Sequence, residues 1–175
     1  MDAGVGNQVI GLVAVNSCDY VTTAIKCLND GLAIVSLRDK HDEQRSKLVD
    51  VDSILEPNNA AGWVDAPRYE PRQTDDIGLV QFTSGTEGPP KPILISHAAL
   101  AETADRLIDV MDIDSDIREY IGVPVYYSFG FGRARAVLRA GGEAYIPEHG
   151  FNPVEISDML ARDEINAVSA VPSLW

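Results

Sequence analysis

Apolar runs of strand length recur along this chain, and stretches of helical length and pattern stand between them. Residues 9–15 read Val-Ile-Gly-Leu-Val-Ala-Val, residues 32–37 Leu-Ala-Ile-Val-Ser-Leu, and residues 77–82 Ile-Gly-Leu-Val-Gln-Phe. A strand that is apolar on both faces must be covered on both faces, which is the situation of a parallel sheet with helices above and below it. Between the first two runs, Asn16 and Ser17 offer an N-cap, a helix is expected over residues 18–30, and Gly31 supplies its stop. Residues 9–37 therefore predict a βαβ unit, right-handed by default. The expected fold class is α/β, a mostly parallel sheet flanked by helices.

Downstream the same alternation continues. Residues 38–76 are polar, charged and turn-rich, and predict one short helix, a solvated charged face and a surface crossing with little chemistry. Residues 93–95 predict a strand, and Ser96 a cap for a helix over residues 97–110, where Leu100, Thr103, Leu107 and Val110 keep a helical stripe. His97 opens that helix and is expected to fix the strand-to-helix turn rather than to act as a base. A helix over residues 133–140 closed by Gly141-Gly142, a strand over 143–146, a helix over 151–162 with Pro153 in its first turn, and a strand entering residues 165–175 complete the series. Two portions are expected: residues 1–76, the βαβ unit with its polar connection, and residues 77–175.

Acidic residues number 27 against 14 basic ones, a formal charge of −13. That balance repels nucleic acid and anionic membrane, so an anionic ligand must be captured locally. No apolar run reaches the length of a membrane span and no secretion signal opens the chain, which makes a cytoplasmic location the expectation. Cys18 and Cys27 fall on opposite faces of their predicted helix and are expected to stay reduced thiols. His41, His97 and His149 lack ligand spacing, so no structural metal is expected.

One segment has the composition of an anion site. Directly after the 77–82 run comes Thr83-Ser84-Gly85-Thr86-Glu87-Gly88-Pro89-Pro90-Lys91. Its hydroxyls and glycines let a tight loop turn O–H and N–H groups toward one polyphosphate, with Lys91 adding charge. The spacing fails the G-x-x-x-x-G-K-[ST] pattern, which argues against a P-loop NTPase. The same composition also suits an unliganded turn.

With its flanks, from Gln81 to His97, this segment resembles the core motif of the adenylate-forming enzymes: acyl-CoA synthetases, the adenylation domains of nonribosomal peptide synthetases, and luciferases. In those proteins a strand leads into T-S-G-[ST]-[TS]-G-x-P-K-G, then a second strand and a helix near a Ser-His pair. Here Glu87 stands at a usual hydroxyl position and Pro92 at the glycine after the lysine. Residues 9–37 are similar to the family's upstream unit, and residues 38–76 look abbreviated beside it. Residues 120–131 resemble a segment in which a strand ends at the acyl-substrate pocket, and residues 165–175 resemble a later strand.

The resemblance implies ATP-dependent activation of a small-molecule carboxylic acid. An acyl-adenylate would form, followed by transfer to the thiol of coenzyme A or of an acyl or peptidyl carrier domain's phosphopantetheine. It implies that Thr83, Ser84, Gly85, Thr86, Glu87, Gly88 and Lys91 hold the ATP phosphates, bridged by magnesium (Mg2+) that takes no protein ligand from this chain. It also implies that Tyr126, Tyr127 and Ser128 border the acyl-substrate pocket. The family's adenine- and ribose-binding segments and its C-terminal lid domain with a catalytic lysine have no counterpart here, so the chain is expected to be an early portion of the large domain, without a complete catalytic set. Two other readings stay open: a nucleotide-binding module that works with a separate chain, and a non-catalytic α/β interaction domain.

Overall fold

The computed structural model describes residues 8–83 and 91–172. The expected βαβ unit is present. Strand β1 (Val9–Val13), helix α1 (Cys18–Asn29) and strand β2 (Ala33–Leu37) follow one another, and β1 pairs parallel with β2. The Ser17 hydroxyl accepts from the Tyr20 N–H at 3.0 Å, capping α1. Gly31 turns the chain out of the helix at φ +79°, a conformation that favours glycine.

The polar stretch holds more structure than expected. Helix α2 (Glu43–Val49) is joined by two short strands, β3 (Ser53–Leu55) and β4 (Gly62–Trp63). All of β3 is exposed, Ile54 and Leu55 included, and backbone pairing with β1 defines it. Strand β5 (Ile77–Phe82) then pairs parallel with β2 and antiparallel with β6 (Pro92–Ser96). The first sheet has the order β3-β1-β2-β5-β6.

The second sheet is smaller. After helix α3 (His97–Met111), strand β7 (Arg118–Ile121) is flanked in parallel by β8 (Glu143–Ile146) and β9 (Ala167–Ser169), with β4 antiparallel at the edge beside β8. Helix α4 (Ser128–Ala140) connects β7 to β8, and α5 (Pro153–Ala161) connects β8 to β9. Pro153 sits in the first turn of α5 behind the Asn152 cap, and Gly141 ends α4 at φ +91°.

A further point differs from expectation: α4 begins at Ser128, not Arg133, and β7 ends at Ile121, so Tyr126 and Tyr127 lie in a turn rather than on a strand end. Gly130 explains it. A Cβ there would stand 2.5 Å from the Pro124 carbonyl oxygen, so glycine lets the first turn of α4 close onto the preceding segment. One apolar cluster joins both sheets: Ile10, Leu12, Ile34 and Leu79 from the first meet Ile121, Ala144 and Ile146 from the second, with α1 and α4 contributing between them, while each sheet keeps a smaller cluster of its own, around Val35 and Val80 and around Tyr120 and Ile165. Both cysteines are free thiols, as expected.

Candidate active site

Strands β1, β2 and β5 run parallel, so their carboxyl ends share one edge, the usual ligand crevice of open α/β sheets. A cleft of about 250 Å³ opens there, bordered by Ala14 after β1, Ser36 and Arg38 at the end of β2, and Gln81 and Phe82 at the end of β5. The turn before α4 supplies the opposite wall, Tyr126, Tyr127 and Ser128. The three residues expected to border an acyl pocket are thus brought together against the end of β5.

A direct bond ties the two walls: the Ser128 hydroxyl donates to Gln81 Oε1 at 2.7 Å. Ser128 is also the first residue of α4, so the helix N-terminus, where backbone N–H groups lack intrahelical acceptors, stands at the cleft. The rings of Tyr126 and Tyr127 lie 4.6 Å apart. Burial, with Tyr127 beside it, pushes the Tyr126 hydroxyl above its ordinary pKa, so it stays protonated and able to donate.

The expected phosphate loop leaves from the same place. Thr83 follows β5 by one residue, and Lys91 precedes β6. Two bonds pinch these ends together: the Thr83 N–H donates to the Lys91 carbonyl at 3.1 Å, and the Lys91 N–H donates to Thr83 Oγ1 at 3.2 Å. The Thr83 hydroxyl proton is left to donate elsewhere, and both residues are exposed. Ser84, Gly85, Thr86, Glu87 and Gly88 lie outside the described residues.

Sequence reasoning missed two cations and an amide. Arg38 and Arg45 border the cleft, although residues 38–45 were expected to be a solvated face. Asp42, nearly fully buried, accepts from Arg38 Nε at 3.0 Å and from the Arg45 N–H at 3.3 Å. The hydrogen bonds from Arg38 hold its carboxyl down at about 2, against the opposing effect of burial. Arg45 in turn reaches the Ser36 carbonyl at 3.0 Å and lies over the Phe82 ring at 4.9 Å. Position was the available signal: Arg38 directly follows a buried parallel strand, where ligand-binding residues of such sheets stand. Asn16 was read only as part of a cap. Its amide donates to the Pro147 carbonyl and accepts from the Val125 N–H, each at 3.1 Å, which locks the turn carrying Tyr126 to the end of β1.

His97 stands away from the cleft, fully buried at the start of α3, where a Cβ on Gly78 would come within 2.9 Å of its Nδ1. Burial lowers its pKa, opposed by the Gly31 backbone, so it is neutral at physiological pH. Its packing role matches expectation.

Behind the Gln81–Ser128 bond lies a second cavity of about 360 Å³, between β5, β6, α3 and α4. Leu79, Ile95, Leu100 and Leu107 give it apolar walls, and both Gln81 and Ser128 border it as well as the cleft. Arg135 also borders it and is 4% exposed.

Among the described residues no three His, Cys, Asp or Glu side chains cluster as a metal site, and no helix is long and apolar enough to cross a membrane.

The chain is 25% identical over 119 residues to a feruloyl-CoA synthase of Amycolatopsis sp., covering 66% of this chain and 24% of that protein. It is 29% identical over 126 residues to the nonribosomal peptide synthetase ungA of Aspergillus violaceofuscus, covering 72% of this chain and 1% of that protein. Apo MatB from Rhodopseudomonas palustris superposes with a TM-score of 0.72 at 19% identity, covering 97% of this chain and 40% of that one. The chain thus spans well under half the length of these proteins. The model of the AMP-binding enzyme family matches residues 34–175, and the chain belongs to that family.

Proposed function

We propose that the protein carrying this chain activates a carboxylic acid with ATP. A carboxylate oxygen attacks the α-phosphorus, the bond from that phosphorus to the bridging oxygen breaks, and pyrophosphate leaves with its electron pair, giving an acyl-adenylate. A thiol, of coenzyme A or of a carrier domain's phosphopantetheine, then attacks the acyl carbon and AMP departs. The observation that carries this reading is the convergence of the Thr83–Lys91 pinch, the Gln81–Ser128 bond and the α4 N-terminus at one sheet edge, in a chain of the AMP-binding family.

Transfers at phosphorus need alignment and charge neutralisation more than covalent help from the protein. Thr83 would donate its hydroxyl and Lys91 its ammonium to the β- and γ-phosphates, together with Ser84 through Gly88. Magnesium, when bound, would neutralise phosphate charge. The α4 N-terminus and the Tyr127–Ser128 turn would orient the acid. A cytoplasmic location belongs to the same proposal.

The test is acid-dependent ATP–pyrophosphate exchange in the full-length protein. Lys91→Ala should lower exchange by about 100-fold, with the thermal midpoint unchanged because Lys91 is exposed. Exchange at the wild-type rate in that variant would remove Lys91 from the phosphate site.

A further inference from the structure

Strand β5 is apolar but for one side chain. Alternation sets Leu79 and Gln81 on the face toward α3 and α4, and Val80 and Phe82 on the other, where they pack in the cluster around Val35. Leu79 shares the main cluster with Leu100 and Phe131, and Ile95 lies opposite it on β6. Gln81, two residues on, sets an amide on this apolar face, bordering both the cleft and the cavity behind it. Half of that amide is used. Its Oε1 accepts from the Ser128 hydroxyl at 2.7 Å, whereas its Nε2 has no acceptor among the described residues and keeps accessible surface. The hydroxyl holds the carbonyl end in place, which fixes the amide's orientation and leaves its N–H groups free to donate.

We propose that Gln81 Nε2 is the donor that positions the acid's carboxylate for attack. This inference rests on the reading of the site as one that activates acids. One carboxylate oxygen accepts from Nε2, and the other is left to attack the α-phosphorus. Gln81 stands between the two reactants: it lies two residues before Thr83, at the root of the loop assigned to the phosphates, and it is bonded to Ser128, in the turn assigned to the acid. A carboxylate entering a chain of formal charge −13 needs a local donor. A neutral amide meets that need without the full charge that an ammonium or guanidinium would set against the attacking oxygen. Alignment is gained while the nucleophile keeps its electron density.

The experiment is ATP–pyrophosphate exchange by the full-length protein with acetate, hexanoate, benzoate and phenylalanine, pursued with the acid that wild type exchanges fastest, in wild type, Gln81→Glu and Gln81→Met. Gln81→Glu keeps an acceptor for the Ser128 hydroxyl and replaces only the N–H2 group, by a carboxylate oxygen. It should raise KM for the acid by about 10-fold or more, and KM for ATP by much less. Gln81→Met loses the donor without adding a repelling charge, and should raise KM for the acid by a smaller factor. A glutamine that only holds Ser128 in place would leave Gln81→Glu with the wild-type KM for the acid, which would overturn the inference, as would rises of the same size for acid and ATP. Should Gln81→Glu fail to fold, Gln81→Met decides by the same split between acid and ATP. Wild-type exchange with an unaffected Gln81→Glu refutes the role of Gln81 and leaves acid activation standing; no exchange by wild type with any of the four acids strikes acid activation itself, and this inference with it.

Discussion

At Asn16 a single side-chain amide serves two sheets, donating to Pro147 and accepting from Val125. An aspartate of the same shape could still accept but could not donate, and would set a carboxylate against the Pro147 carbonyl. Asn16→Asp should therefore cost about 1–3 kcal/mol and loosen the turn that carries Tyr126 and Ser128, read as a lower urea midpoint together with slower adenylation. Asp42 allows a pH test. Its carboxyl titrates at about 2 instead of its ordinary 3.8, chiefly because of the hydrogen bonds from Arg38. A depressed carboxyl contributes stability in full above its unfolded value and loses it as pH falls through the folded one. The contribution, about 1–2 kcal/mol after allowing for the exposure of Arg38, should fade between pH 3.8 and about 2. Urea midpoints of wild type and Asp42→Asn should converge across that window; a constant gap would mean that Asp42 acts through shape alone. Neither residue was legible as functional in the sequence, because each works through partners far away in the chain that local pattern does not reveal.

Elements were far more legible than contacts, and the reason lies in their caps and periods. Helices α1, α3 and α5 carry their own boundaries in Ser17, Ser96 and Pro153. Helix α4 does not: Tyr127 stands at its N-cap without a side-chain bond, and the glycines at 130 and 132 read as breakers although both are buried within it. Its anchorage also came from outside local pattern. Glu119 of β7, completely buried, receives Arg133 from α4 and the Ser169 hydroxyl from β9, so one carboxylate fixes the helix that opens the candidate site to the second sheet. Removing only the carboxylate strands a buried guanidinium. Glu119→Leu should cost about 3–5 kcal/mol, whereas adding Arg133→Met should restore much of the loss. A double variant no more stable than the single one in urea denaturation would mean that the ion pair is not the anchor.

Across the whole molecule, the apolar runs foretold a parallel sheet flanked by helices, but not its division into two sheets that share their largest apolar cluster. Strands β7 and β8 are short and carry Arg118, Glu119 and Glu143, so no apolar run marks them, and only long-range pairing reveals their separate sheet. The seam between the sheets passes through α1 and α4, where Tyr20 meets Phe131 edge to face with ring centres 6.5 Å apart. Tyr20 is 3% exposed and belongs to the same cluster as Ile34 of β2 and Ile146 of β8. Tyr20→Ala would leave a cavity that neither sheet can fill alone, at a cost of about 3–5 kcal/mol. Because the core is shared, that cost should fall on both sheets together. In native-state hydrogen exchange, the amides of Ile34 and Ile146 should lose protection by the same free energy. Faster exchange confined to β1 and β2 would show instead that the second sheet holds itself together, and that its contact with the first is a surface between two separately stable units.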